Sequence, residues 1–213
     1  MKLNPIMVII SISYLAILIF AGVKLHGNIK TGLDEKIRNY CDSLQNPVLF
    51  QIMGKITRLA NIETIFIISF PLMLYLLRHR DYVELTAIAI SAGSAVILTQ
   101  LIKLMFRRSR PAKKRRFNAF GYSFPSGHST VGTAFYVIVV YVFSYGYRFF
   151  YLAMIGVIIL SLLIALSRIM LGVHWFSDVI AGVGLGLICA YWGIFFYNQG
   201  YYFKYVFSRA IFN

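Results

Sequence analysis

The sequence predicts an all-α membrane protein, a six-transmembrane-helix bundle in a single domain over residues 1–213. Hydrophobic residues make up 59% of the chain and charged residues only 13%, which is far from the composition of an average soluble domain. Six uncharged apolar runs approach or exceed the length of about 20 residues that a helix needs to cross a membrane. They are residues 3–23, 64–77, 85–102, 129–147, 149–167 and 179–203.

The first two runs need separate justification. Lys2 precedes run 3–23, so this run could be a signal peptide, but it is longer than an apolar signal region and lacks a small-x-small cleavage site. We expect a membrane anchor. Run 64–77 is short and crosses the membrane only if residues 59–63 add a turn, with Glu63 near the interface.

The longest polar stretch, residues 24–58, is expected to form a helix at the membrane interface. Its apolar residues recur at helical spacing, which is typical of amphipathic interfacial helices. They are Leu33, Ile37, Tyr40 and Leu44.

Cysteines and glycines indicate neither disulfides nor a nucleotide loop. Cys41 lies in a polar segment and Cys189 inside the last apolar run, so we predict no disulfide and no thiolate metal site. Gly182, Gly184 and Gly186 lie inside that same run. There they predict a face for close helix packing.

Six antiparallel passes would collect the polar motifs on one membrane face. The ends of the third and fifth helices and the starts of the fourth and sixth lie on that face. Charged groups so close to hydrocarbon are costly and usually functional, so we predict a shared polar pocket at this interface. The residues expected there are Lys103, Arg110, Ser126, Gly127, His128, Arg168, His174 and Asp178.

The first motif contains Lys103, Arg110 and Pro111. A spacing of seven residues would carry both cations on one helical face, and Pro111 would place Arg110 at a helix exit. Such cations can also simply reach toward lipid headgroups.

The second motif is Pro125, Ser126, Gly127 and His128. It could serve only as a turn and N-cap that open a helix. The same geometry would present free amides and the positive end of the helix dipole to a phosphate oxygen.

The third motif pairs His174 with Asp178 at a spacing of i and i+4. A carboxylate there can hold one imidazole nitrogen and leave the other free. A structural pair is one alternative, and a zinc site that includes His128 is another. The surrounding cations would repel a metal ion, so we predict no metal and no cofactor. His26 and His79 lie in loops and are expected to be solvated.

Together the motifs resemble those of the PAP2 superfamily of phosphatidic-acid-phosphatase-type enzymes. The family pattern is Lys, six residues, Arg-Pro; then Pro-Ser-Gly-His; then Ser-Arg, five residues, His, three residues, Asp. The chain matches it from Lys103 to Asp178 without a departure.

The resemblance implies a metal-independent lipid phosphatase with a phosphohistidine intermediate. His174 would attack phosphorus while Asp178 orients its ring, and His128 would protonate the leaving oxygen and then activate water. The phosphate oxygens would be held by Lys103, Arg110, Ser126, Gly127 and Arg168.

The formal net charge of +14 indicates an anionic partner. The basic run 113–116 could contact nucleic acid, but it lies between two membrane spans, so anionic lipid headgroups are the expected partner and nucleic acid is not. The substrate expected is a prenyl pyrophosphate, a phosphatidylglycerophosphate, a phosphatidate or a phosphorylated lipid A. No protein partner is implied.

Two lines of reasoning about orientation conflict. Six of the 21 cations lie on the non-catalytic side and fifteen on the catalytic side or its border, which by the positive-inside rule puts the catalytic face in the cytoplasm. The resemblance implies the extracytoplasmic face of a bacterial plasma membrane. Because several of the fifteen are functional candidates, we expect the extracytoplasmic face.

Other functions remain open at this stage. A lipid-to-lipid phosphotransferase would use the same residues as a hydrolase. A transporter would normally place its polar groups near the bilayer midplane rather than at helix ends. A non-catalytic lipid-binding protein would keep the cations but would not need two histidines.

Overall fold

A computed structural model describes residues 4–44, 46–111 and 120–212, with 203–212 described as helix backbone alone. The regular elements of these described ranges are all helices, which confirms the predicted class. They are α1 (Pro5–Lys24), α2 (Gly32–Ser43), α3 (Pro47–Arg58), α4 (Ile62–His79), α5 (Tyr82–Phe106), α6 (Gly127–Ser144), α7 (Phe150–Met170) and α8 (Phe176–Phe212).

Six helices, α1 and α4 to α8, are long and apolar enough to cross a membrane. The prediction of six spans is therefore confirmed. The weakest expected span is α4, which begins at Ile62 and carries Glu63, an exposed residue, in its first turn. Of the residues 59–63 expected to add a turn, only Ile62 and Glu63 join the helix, and α4 gains its remaining length at the other end, where it continues to His79.

The centre of the bundle is α8, which packs mainly against α5 and α6. A Cβ atom on Gly182 would lie 2.7 Å from the carbonyl oxygen of Ser126, and one on Gly186 would lie 2.5 Å from that of Thr130. Both distances are shorter than any normal carbon contact. Gly182 and Gly186 therefore form a helix-packing face, as predicted, and they let the backbones of α8 and α6 approach closely. Gly184, expected on the same face, instead lies against Tyr14 of α1.

Two spans lie at the edge of the bundle. The α1 helix packs against α5 and α8, with Leu18 and Leu25 buried in a cluster that includes Cys189. The α4 helix packs against α5, and only 6% of the residues in its apolar segment are buried. Most of α4 is therefore left for lipid to cover.

The polar stretch after α1 forms two helices rather than the one expected, because Asn46 and Pro47 interrupt it and start α3. Its orientation also differs from a simple amphipathic helix. Leu33 and Tyr40 are exposed, whereas Asp34 and Arg38 face inward with Cys41. These helices lie against α7 and α8.

The layout of helix ends follows the expected alternation. The end of α5, the start of α6, the end of α7 and the start of α8 meet on one side, and α2 and α3 lie against that side. The basic run at 113–116 lies outside the described residues. His26 and His79 are exposed, as expected, but His79 is the last residue of α4 and not a loop residue.

Candidate active site

A cavity of about 460 Å³ opens among α4, α5, α6 and the end of α7. Its wall contains six of the eight residues that the motifs nominate. These are Lys103, Arg110, Gly127, His128, Arg168 and His174. The polar pocket expected at one membrane interface therefore exists, and it combines three cations with two imidazoles.

One wall is formed by the end of α5 and the start of α6. Lys103 is in the last turn of α5, and its Nζ lies 3.8 Å from the point where a Cβ on Gly127 would sit. The first amides of a helix have no intrahelical partner and carry the positive end of the dipole. Ammonium and helix start thus converge on one anion-sized space.

The seven-residue spacing predicted that Arg110 and Lys103 share one helical face, but they do not. The α5 helix ends at Phe106, and Arg107 adopts a left-handed conformation with a φ of 44°, which turns the chain out of the helix. Arg110 lies in the loop that follows. Its Nε donates to the carbonyl oxygen of Gly121 at 2.9 Å, and its Nη1 donates to that of Val173 at 2.8 Å.

The same Nη1 of Arg110 lies 2.9 Å from Nε2 of His174. Because a guanidinium has no acceptor, Nε2 must accept through its lone pair, and the imidazole proton then resides on Nδ1. Burial lowers the pKa of His174 well below its ordinary 6.5, and the nearby Arg110, Arg168 and Lys103 lower it further. The ring is therefore neutral, with a nucleophilic nitrogen at the cavity.

His174 and Asp178 are not two residues of one helix. His174 lies in the loop before α8, and Asp178 lies in the first turn of α8. Their predicted proximity nevertheless holds, with Nδ1 3.5 Å from Oδ2 of Asp178. At this separation Nδ1 has no hydrogen-bond partner among the described residues. The pair needs only a small shift to form a normal hydrogen bond.

Arg168 is buried at the end of α7, with 7% of its surface exposed. Its Nη1 donates to Oγ1 of Thr57 on α3 at 2.6 Å. Its Nε is buried and has no hydrogen-bond partner within the described part of the chain. A desolvated guanidinium with an unused donor at a cavity wall favours an anionic ligand.

His128 faces the cavity from the first turn of α6. Its Nε2 lies 2.9 Å from Oδ1 of Asn61. Asn61 is the N-cap residue of α4, yet its side chain does not cap that helix. Since an amide oxygen accepts, Nε2 of His128 carries a proton that it donates to Asn61, which also lines the cavity.

Ser126 and Asp178 lie behind the cavity wall rather than in it. Ser126 is fully buried, and its backbone amide donates to the carbonyl oxygen of Asp178 at 2.9 Å. Its Oγ accepts from Ser129 at 2.9 Å. Ser126 therefore ties the start of α6 to α8, and the expected contact of its hydroxyl with phosphate stays a prediction.

Four residues of this site were not predicted from the sequence. Thr57 and Asn61 contact Arg168 and His128, and Asp34 and Arg108 form a buried ion network with Asp178. Only Arg108 had a sequence signal, as one of two arginines that closely precede Arg110. The others resemble ordinary helix caps or surface polar residues.

Comparison with known proteins agrees with this geometry. Residues 82–202 match the model of the PAP2 superfamily. The chain belongs to the PAP2 superfamily. The matched segment contains all three motifs, so the predicted family is confirmed, together with the prediction of an enzyme of the phosphatase class.

Individual relatives extend the likeness over most of the chain. Phosphatidylglycerophosphatase B of Bacillus subtilis is 28% identical over 196 residues, which cover 88% of this chain and 92% of that protein. Lipid A 1-phosphatase of Rhizobium etli is 32% identical over 100 residues, 42% of this chain and 40% of that protein.

Two solved structures share the fold. The crystal structure of a transmembrane PAP2-type phosphatidylglycerolphosphate phosphatase from Bacillus subtilis superposes with a TM-score of 0.75 at 23% identity, covering 88% of this chain and 96% of that one. Aquifex aeolicus LpxE gives a TM-score of 0.65 at 21% identity, covering 78% and 96%. The chain is a multi-pass membrane protein of this architecture.

Proposed function

We propose that this protein hydrolyses the phosphate of a membrane lipid through a phosphohistidine on His174. The observation that carries the proposal is the composition of the cavity wall. Three cations and two histidines form its polar part, and Ile62, Ile65 and Val96 belong to its apolar part. A ligand with an anionic head and an apolar body matches both parts.

The apolar part continues into the bundle edge. A second groove of about 240 Å³ lies between α4, α5 and α6, and Ile65 contributes to both spaces. Its wall is almost wholly apolar, with Phe66, Leu72 and Ile88 among its residues. An acyl or prenyl chain could therefore lie along α4 while its phosphate occupies the polar part.

The first chemical step would form a bond between Nε2 of His174 and phosphorus. Arg110 now donates to that lone pair, so the phosphate must draw the guanidinium onto one of its own oxygens and free the nitrogen. The bond from phosphorus to the lipid oxygen then breaks, and His128, which is an imidazolium once the anionic phosphate is bound, gives one of its two ring protons to that oxygen. The products of this step are a lipid alcohol and phosphohistidine.

The second step would reverse these roles. His128, now neutral, takes a proton from water as the water oxygen attacks phosphorus, and the bond between phosphorus and Nε2 breaks to release inorganic phosphate. Lys103, Arg110 and Arg168 neutralise charge on the oxygens throughout. Such fixed charges in a site shielded from water supply most of the acceleration in phosphoryl transfer.

Among lipid phosphates, a phosphatidylglycerophosphate is the first candidate substrate. The B. subtilis relative with that name aligns along 92% of its own length, whereas the lipid A 1-phosphatase aligns along 40%. Prenyl pyrophosphates, phosphatidate and lipid A phosphates present the same head chemistry. A phosphotransferase would use an acceptor lipid in place of water in the second step.

The test is a phosphate-release panel with detergent-purified protein and these lipid classes, with and without an acceptor lipid. We expect release from at least one class, and a labelled protein after rapid acid-free quenching of a radioactive substrate. His174→Ala should lose release and labelling together, by about 10⁴-fold in turnover, because the covalent path is gone. Normal release by His174→Ala would exclude the proposed nucleophile.

We also propose that the cavity opens to the extracytoplasmic side. Phe120 is 90% exposed beside the cavity, and Tyr147 is 62% exposed beyond the far end of α6. In intact cells a membrane-impermeant maleimide should label Phe120→Cys and not Tyr147→Cys. The native Cys41 and Cys189 are buried and provide a low background. The reverse labelling pattern would place the cavity in the cytoplasm.

A further inference from the structure

A buried ion network lies directly behind His174. It joins Asp34 on α2, Arg108 in the loop after α5 and Asp178 at the start of α8. Arg108 Nη2 lies 2.8 Å from Oδ2 of Asp34, and Arg108 Nη1 lies 2.5 Å from Oδ1 of Asp178. All three side chains are 0% exposed, and none of them lines the cavity.

We propose that Arg108 and Asp34 are positioning residues for the reaction: Asp34 fixes Arg108 in place, and Arg108 holds the Asp178 carboxylate oriented and ionised so that it stabilises the cation formed on His174. This inference rests on the proposed phosphohistidine mechanism. It extends that mechanism to two residues outside the three motifs.

The orientation of Asp178 follows from how its two oxygens are used. Oδ1 is held by Arg108, while Oδ2 accepts from the backbone amide of Trp175 at 2.8 Å and faces Nδ1 of His174. A carboxylate engaged through both oxygens cannot rotate about its terminal bond. Oδ2 therefore stays directed at the imidazole.

Arg108 is itself fixed on every side. Beyond the two carboxylates, it donates through Nη1 to Oγ of Ser177 at 2.8 Å and through Nε to the carbonyl oxygen of Ile29 at 3.2 Å. Asp34 accepts at Oδ1 from the amide of Ser177 at 2.9 Å and at Oδ2 from the amide of Thr31 at 3.1 Å. The guanidinium fork thus has one possible placement.

Asp34 is charged in this environment. Burial raises the pKa of Asp34, but hydrogen bonds from the backbone of Ser177 and Thr31 and from the Arg108 side chain outweigh it and hold the pKa below 3.8. Two carboxylates and one guanidinium leave one negative charge in the buried network. Outside this network, the ammonium group of Lys103 on α5 also attracts the Asp178 carboxylate electrostatically.

That unbalanced negative charge is useful only when His174 becomes cationic. A phosphorylated imidazole that keeps its Nδ1 proton is positive, and it forms beside the network, so charge balance is reached as the covalent intermediate forms. Without Arg108, two buried carboxylates would lie together and would share a proton. Asp178 would then lose the charge that stabilises the intermediate.

The test compares Arg108→Gln with the matched control Arg107→Gln, since Arg107 is the neighbouring but exposed arginine. We expect Arg108→Gln to lower kcat by about 100-fold, the loss that a misplacement of about 1 Å outside the reacting groups can cause, with KM nearly unchanged. Arg107→Gln should keep wild-type kcat. Size-exclusion profiles and thermal melts in detergent establish that each variant is folded.

A double variant separates charge from simple folding. Asp34→Asn added to Arg108→Gln removes the second carboxylate, so Asp178 no longer shares a proton and keeps its own negative charge, and about tenfold of the lost kcat should be recovered. The recovery is the ratio of kcat in the double variant to kcat in Arg108→Gln alone. If Arg108→Gln does not fold, Arg108→Lys keeps the charge but not the planar fork, and it should lower kcat with KM unchanged.

The outcomes are distinguishable. Wild-type kcat in Arg108→Gln or Arg108→Lys, with His174→Ala inactive, would overturn this inference and leave the proposed function standing. A double variant no better than Arg108→Gln alone would overturn the charge argument. Activity in His174→Ala would instead remove the phosphohistidine on which both depend.

Discussion

Thr57 offers the sharpest test of how the phosphate-binding cations are held. Its hydroxyl is the hydrogen-bond acceptor for Arg168 Nη1 at 2.6 Å, and Thr57 itself is 4% exposed. Thr57→Val removes that acceptor at almost constant volume. Arg168 would then lose the contact that fixes its position, and its Nε already has no hydrogen-bond partner in the part of the chain that the structure describes.

The expected magnitude follows from the hydrogen bond. A hydrogen bond to a charged group contributes about 2 kcal/mol, and each 1.36 kcal/mol corresponds to about a tenfold change in rate. If the guanidinium is needed on the phosphate in the transition state, kcat/KM should fall by about 30-fold. Thr57→Ser keeps the hydroxyl and should remain within about twofold of the wild type.

The assay is steady-state phosphate release on the best substrate of the panel, in one detergent, for the wild type and both variants. Circular dichroism and thermal melts show whether each variant retains its fold. A Thr57→Val enzyme with kcat/KM within twofold of the wild type would refute the argument that α3 positions Arg168 for catalysis.

Three further results are expected. Activity should survive EDTA, because the cations that line the cavity are side chains. A complete loss of activity that added zinc or magnesium restores would instead indicate that His128, His174 and Asp178 bind a metal ion. Vanadate should inhibit competitively, since its five-coordinate form resembles the transition state; an insensitive enzyme would contradict this. Because burial and Arg110 lower the pKa of His174 well below 6.5, the nucleophile stays unprotonated as the pH falls. The value of kcat/KM, corrected for substrate ionisation, should therefore stay level from about pH 7 to about pH 6, and a loss with a midpoint near 6.5 would contradict the buried, neutral imidazole.

The spans and the side on which the motifs meet were predictable because hydrophobicity decides both. Long apolar runs must become helices in a membrane, and alternation of direction then fixes which ends are neighbours. This reasoning also recovered α4, where Glu63 in the first turn marks the interface. It needed no knowledge of side-chain contacts.

The local backbone around the motifs was harder to predict. The seven residues from Lys103 to Arg110 fit a helix, but Arg107 adopts a left-handed conformation without a glycine to signal the turn. Likewise, the spacing of His174 and Asp178 fits a helix that in fact begins at Phe176. In both cases the loop brings together the residues that the helix was expected to bring together.

The contribution of α2 and α3 could not be predicted for a different reason. Asp34 forms a capping box with Thr31, so its sequence context is fully explained by the helix start alone. Its second use, as the partner of Arg108 and Ser177, depends on contacts 74 and 143 residues away in the chain. Contacts of that range have no local signature in one sequence.

The glycine face of α8 determines where this site could be remodelled. Because Gly182 and Gly186 lie against the backbone of α6 beside the short side chains of Ser129, Thr130 and Thr133, trimming side chains there would widen the gap between the two helices very little. A designer who wants a bulkier headgroup to enter would gain little there. The adjustable wall is the opposite one, where Ile62 and Ile65 begin the loosely packed α4, and libraries for new substrates should start at those two positions.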